Sequence, residues 1–196
     1  MHSKIIEYIK AEIARNGRFS QPFRDRFQHT MRVYNWAERL QSVEGGDLSV
    51  IQIACLFHDS GWDAHLPHEE VSAALAKDYL TKNGYVDLDI DKVVQAVLHH
   101  NRRTSDISLP IECYVVMDAD LLDEIGAVTI VWDSMATALA EEPSYLKAYN
   151  RICHYLEKNK ERASLLKTES GKNFYKERIE FIEYFIANLE FELGLN

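Results

Sequence analysis

Histidine and aspartate come together at three places in this chain of 196 residues, each inside or beside an apolar run. His29 stands in Phe27-Gln28-His29-Thr30-Met31-Arg32-Val33-Tyr34. His58-Asp59 ends the stretch Ile53-Ala54-Cys55-Leu56-Phe57, and Asp118-Ala119-Asp120-Leu121-Leu122-Asp123 interrupts another. An ionised carboxylate is costly to bury unless a cation partners it. A divalent metal offsets that cost for several groups at once. Two neutral imidazoles with two carboxylates form a mixed nitrogen and oxygen set suited to Mn, Fe, Co, Ni or Zn, with Mg the less natural occupant. Neighbouring helical residues point ~100° apart, so His58 and Asp59 diverge in a regular turn. A fraying last turn lets both bend toward one ion, and the negative end of the helix favours a cation there. Singly, each feature has a plainer meaning: a core histidine, a helix cap, a chance dipeptide. The ordered combination is what points to a site.

The elements that must position these groups are helical. Ile5, Ile9 and Ile13 mark a first amphipathic helix ending near Asn16-Gly17. Ser20-Gln21-Pro22 reads as the start of a long helix through Phe27, Met31, Tyr34 and Ala37 to about Ser42. Asp47 or Ser49 caps a buried helix that ends near His58, and Pro67 opens one running to Asn83-Gly84. Asp87 or Asp89 caps the next, which carries Val93, Val97 and His100 on one face. Pro110 opens a helix to about Gly126, with more helix to Glu142-Pro143. The last fifty residues read as two or three helices, the final one turning Phe174, Ile182, Phe185 and Leu189 inward. No alternating run of strand length occurs. The expectation is one all-α, compact multi-helix domain over 1–196, its motifs in about 20–135 and its C-terminal helices in 143–194.

Composition narrows the function. Net charge is −9, from 22 basic and 31 acidic residues, which excludes a broad nucleic-acid surface but not a small cationic pocket for phosphate. Cys55, Cys113 and Cys153 are too scattered for a disulfide framework or a thiolate metal site. The charged N-terminus lacks a signal-peptide core, and no stretch approaches the ~18 apolar residues of a membrane span. The expected setting is cytoplasmic, without a membrane partner, and a homo-oligomer stays open.

His29, His58-Asp59 and Asp120, in that order on successive helices, resemble the H…HD…D signature of the HD superfamily of metal-dependent phosphohydrolases. His29-Thr30-Met31-Arg32-Val33 is similar to the start of that motif, and Ala54 to Asp59 to its apolar approach. Met117 to Ala127 resembles the Asp-Ala-Asp-x-Leu-Asp segment of one bacterial branch. The gaps of 29 residues from His29 to His58 and 61 from Asp59 to Asp120 suit that branch. The resemblance implies an all-α HD-type fold with His29, His58, Asp59 and Asp120 as metal ligands. It leaves Asp118 as a rival to Asp120, or, with Asp123, as a supporting or capping group. The chain departs from the family in Ser60-Gly61-Trp62-Asp63, where many relatives carry an acidic residue slightly earlier. It also lacks the Gly-Tyr-Pro segment of the cyclic-dinucleotide branch.

Extra histidines in two-metal members fall near His68 and His100. Here these two hold a second ion, bind substrate phosphate, or simply pack. Arg102 and Arg103 follow His100, and Arg32 lies one turn beyond His29; forked guanidinium groups suit phosphate oxygens. The expected activity is hydrolysis of a small phosphorylated, nucleotide-like substrate by a metal-activated water, with His68, His100 or Asp63 orienting water or moving a proton. The alternatives are a regulatory metal- and nucleotide-binding module without turnover, and a dinuclear-iron oxygenase on the same scaffold.

Overall fold

The computed structural model describes every residue except Met1, Phe19, Gln21, Pro22, Ser105, Glu141 and Asn196. Among the described residues there are nine α-helices and no strand: α1 (Ser3–Arg15), α2 (Arg26–Glu44), α3 (Leu48–Phe57), α4 (His68–Lys82), α5 (Ile90–His99), α6 (Ile111–Asp123), α7 (Ala127–Ala138), α8 (Tyr145–Arg162) and α9 (Glu169–Leu193). A single 3₁₀ turn, Ala163–Leu165, links α8 to α9. The all-α architecture expected from the sequence is the one observed.

Caps set the starts. Asp25 accepts from Gln28 N at 3.0 Å and begins α2. The helix therefore starts later than the Ser20-Gln21-Pro22 signal, of which Gln21 and Pro22 lie outside the described residues. Asp47, rather than Ser49, caps α3 by accepting from Ser49 N and Val50 N, and Asp89, rather than Asp87, caps α5 through Lys92 N. Each such cap contributes about 1 kcal/mol.

α3 and α6 are the central helices. Val50, Ile51 and Ile53 to Phe57 are all buried, as are Val115 to Asp123, which is the pattern of helices covered on every side. α2 packs on both α3 and α6, α4 on α5, and α5 on α3 and α6. One apolar cluster runs from Ile5 and Ile9 of α1 to Ile182 and Ile186 of α9. In α9 the inward line is Tyr175, Ile182 and Ile186, while Phe174, Phe185 and Leu189 are half-buried. Tyr175 can serve as a core residue because its hydroxyl donates to the Asn159 carbonyl at 3.0 Å. No helix among the described residues is long and apolar enough to cross a membrane.

Two close approaches fix the frame around the centre. A Cβ at Gly61 would lie 2.6 Å from Ser72 N and 2.7 Å from the Val71 carbonyl carbon. Only glycine lets the segment after Asp59 press on α4, where Gly61 N also donates to Ser72 Oγ at 2.9 Å. Farther along, Asp118 of α6 accepts from Lys167 N, Thr168 N and Thr168 Oγ1 at 2.7–3.1 Å, which ties the start of α9 to α6.

Candidate metal centre

Two clusters of side chains stand side by side where α2, α3 and α6 meet the ends of α4 and α5. The inner cluster is His29, His58 and Asp120; the outer is Asp59, His68 and His100, and within each the ligand atoms lie within 4.8 Å of one another. In the inner cluster His29 Nε2 is 3.2 Å from His58 Nε2 and 3.3 Å from Asp120 Oδ1. In the outer, His68 Nε2 is 3.2 Å from both His100 Nε2 and Asp59 Oδ1. The clusters adjoin through His58 and His100, whose rings meet edge-on with centroids 5.2 Å apart.

The far nitrogen of each ring decides what the near one can do. His58 Nδ1 donates to Cys55 O and His100 Nδ1 to Val97 O, both at 2.7 Å. A carbonyl only accepts, so these protons sit on Nδ1 and each Nε2 presents a lone pair. His29 Nδ1 donates to Asp123 Oδ2 at 2.7 Å. Arg32 clamps that carboxylate through Nε at 2.7 Å and Nη2 at 2.9 Å. With His29 neutral, the inner cluster would be three acceptors aimed at one point, a crowding that either a proton on His29 Nε2 or a bound metal ion relieves. Charges follow suit. Burial works against a charged His29, but hydrogen bonds and charges from Asp120 and Asp123 outweigh it and push its pKa up to about 10. His100 goes the other way, down to about 4, through burial and the nearby His58. Burial lowers His58 as well. For Asp59, burial is outweighed by His58 and Arg18, which hold the carboxyl well below the usual range. Asp120 is likewise held low against burial, by its bond to His29 and by Arg103.

Both clusters open on a cleft of about 220 Å3, lined among others by Arg18, Arg24 and Arg26. Arg18 Nη1 donates to Asp59 Oδ1 at 3.1 Å. Arg26 Nη1 lies 3.7 Å from Asp59 Oδ2, and its buried Nε and Nη1 have no hydrogen-bond partner among the described residues. These arginines precede His29 in a segment without a motif of its own; the one sequence signal is their density, with Arg18 and Arg24 before α2 and Arg26 its first residue. The arginines picked from the sequence are engaged elsewhere. Arg32 holds Asp123, Arg102 reaches Glu70 at 3.1 Å, and Arg103 donates to Asp120 Oδ2 at 2.5 Å. Asp63 is exposed and accepts from His65 N at 2.8 Å, away from the cleft. Asp118, tied to α9, does not enter either cluster.

Comparison with known proteins gives the same frame. Residues 26–125 match the HD domain family model. The uncharacterized protein YpgQ of Bacillus subtilis is 27% identical over 169 residues, covering 84% of this chain and 82% of YpgQ. Its crystal structure in complex with ADP superposes with a TM-score of 0.65 at 26% identity, over 97% of this chain and 93% of that one. A predicted HD superfamily hydrolase from an uncultured Thermotogales bacterium is 25% identical with a TM-score of 0.69, over 98% and 94% of the two chains. An HD-superfamily hydrolase from Bacillus thuringiensis shares the fold at 21% identity and a TM-score of 0.74, over 99% and 97%.

Proposed function

The chain belongs to the HD domain family, and from that premise we propose that it is a metal-dependent phosphohydrolase acting on a small, nucleotide-like phosphate. One observation carries the reading: a single cleft joins two converging clusters of potential ligands to a rim of arginines, among them Arg26, whose buried Nε has no hydrogen-bond partner among the described residues. His29, His58, Asp59 and Asp120 would hold a divalent ion, with Mn, Fe, Co, Ni or Zn suited to the donor set and Mg less so. His68 and His100, sharing Asp59, would hold a second. Bound there, the metal lowers the pKa of a water and stabilises charge developing on a phosphoryl group.

The chain's own residues do the rest. Arg18, Arg24 and Arg26 bind phosphate oxygens, the forked guanidinium geometry matching them. Asp123, fixed by Arg32, orients the His29 ring, and Arg103 orients Asp120. His100 stays neutral with Nδ1 engaged, so it serves as a lone-pair donor and not as an acid. His68 lines the cleft and can hold or move a proton at Nε2 only when no second ion occupies the outer cluster. The nucleotide part of the reading draws on the ADP complex of YpgQ. Free thiols at Cys55, Cys113 and Cys153 fit a reducing cytoplasm.

Metal analysis of the purified protein, followed by a panel of nucleotides and phosphomonoesters with several divalent ions, tests this. Asp59→Ala is expected to lose metal and turnover together. Full activity in that variant sinks the proposal. Nucleotide binding without any turnover would instead make the chain a regulatory module, and about two irons with oxygen consumption would make it an oxygenase.

A further inference from the structure

A second, larger cavity of about 690 Å3 runs between α7 and α8 and meets the metal-site cleft at Arg24 and Glu124, which line both. Its volume is that of a small-molecule site, three times the space beside the two clusters. Its lining differs in kind from that of the cleft. Trp132 and Tyr155 present aromatic rings, with the Arg24 guanidinium 4.3 Å from the Trp132 ring and that of Arg151 5.1 Å from Tyr155. Between them lie two buried polar side chains. Asn159 is only 4% exposed, and its side-chain carbonyl oxygen accepts from the Tyr175 hydroxyl at 3.3 Å. Asp133 is 7% exposed and accepts from Arg151 Nε at 2.7 Å through Oδ1.

Each feature has a counterpart in a nucleoside. A base is a flat π surface, which stacks on aromatic rings and guanidinium planes whatever its identity. Its edge sets hydrogen-bond donors beside acceptors, which an amide donor and a carboxylate acceptor in one groove complement. Glu124, paired with Arg162 at the junction, offers an acceptor to a sugar hydroxyl. Arg24 stands where a phosphate chain would pass from groove to cleft. Resting on the phosphohydrolase reading above, we propose that the α7–α8 groove is the nucleoside-binding subsite, so that the base lies against Trp132 and Tyr155 while the phosphates reach the paired clusters.

The test compares ATP with inorganic tripolyphosphate, which has the phosphates and no base. In the wild-type protein kcat/KM for ATP exceeds that for tripolyphosphate. In Trp132→Ala the ratio falls by about tenfold or more, the scale of one lost base–aromatic stack, and in Tyr155→Ala it falls less. Asn159→Asp, which turns a donor into an acceptor, reorders preference among ATP, GTP, CTP and UTP. Tyr155 is exposed, so its truncation keeps the test available if Trp132→Ala fails to fold. A wild-type ratio near one, or variants that lose both substrates equally, would overturn the subsite. If the wild-type protein hydrolyses neither compound, the panel above decides the phosphohydrolase reading and calorimetry with ATP decides the groove alone. Binding abolished by Trp132→Ala upholds it, and no binding by the wild-type protein overturns it.

Discussion

The inner and outer clusters share a donor set, two imidazoles and one carboxylate, and the same 3.2 Å spacing between ring nitrogens, yet their supports differ. His29 and Asp120 lie within helices α2 and α6, each backed by a guanidinium: Arg32 through Asp123, and Arg103 directly. Asp59 follows α3, His68 is the first residue of α4, and His100 follows α5, so the outer cluster is assembled from helix ends. The charge demand differs too. His29 is pushed up to about 10 and His100 down to about 4. The two rings therefore lean to opposite protonation states, although each cluster also holds a carboxylate kept ionised, Asp120 in the inner and Asp59 in the outer. We expect the inner cluster to hold an ion more firmly than the outer one.

The largest effects should separate the two directly. His58→Ala is expected to abolish turnover, a loss beyond the roughly 100-fold at the upper end for orienting groups, and to empty the inner cluster. His68→Ala should leave one ion per chain and lower activity by about tenfold. Metal analysis beside steady-state kinetics checks both, and equal metal loss in the two variants would erase the distinction. Removing supports should give smaller changes in the same order. Asp123→Ala, which frees the His29 ring and strands Arg32, should weaken metal affinity about 10- to 100-fold. Arg18→Ala, which frees Asp59 while Arg26 remains, should weaken it only a few-fold; competition with a chelator reads both. The smallest effect should come at Gly61→Ala. The added carbon overpacks against α4 at a cost of about 1–3 kcal/mol, lowering Tm by about 2–4 °C per kcal/mol in a chain of this size. It should also loosen the outer ion while sparing the inner one, which melting curves with and without manganese would show.

Much of this was legible in the residues. Apolar spacing and cap residues mark the helices because burial and unpaired N–H groups leave local traces. His29, His58, Asp59 and Asp120 stand out because polar groups interrupt apolar runs. How they pair off was not legible. Asp59 turns to His68 and His100, since the chain keeps its ~100° per residue through His58, and a reading along the sequence could not choose between that and a frayed turn. The cleft arginines were missed for a similar reason. Arg102 is next to His100 in sequence but turns to Glu70, while Arg26 reaches Asp59 from a helix start 33 residues earlier. Proximity along the chain is a poor guide where helices end.

The bond set around Asp118 bears on the order in which the molecule is made. This carboxylate sits two positions from Asp120 on α6, buried, and its donors come from residues 167 and 168. A buried carboxylate without donors is costly, so the seating of α6 seen here is completed only by residues just beyond α8. Chains emerge N-terminus first. All six clustered ligands therefore leave the ribosome before the residues that seat α6 exist. We therefore expect metal loading to be late: a nascent chain stalled before residue 167 should carry the full motif and bind an ion more weakly than the finished chain.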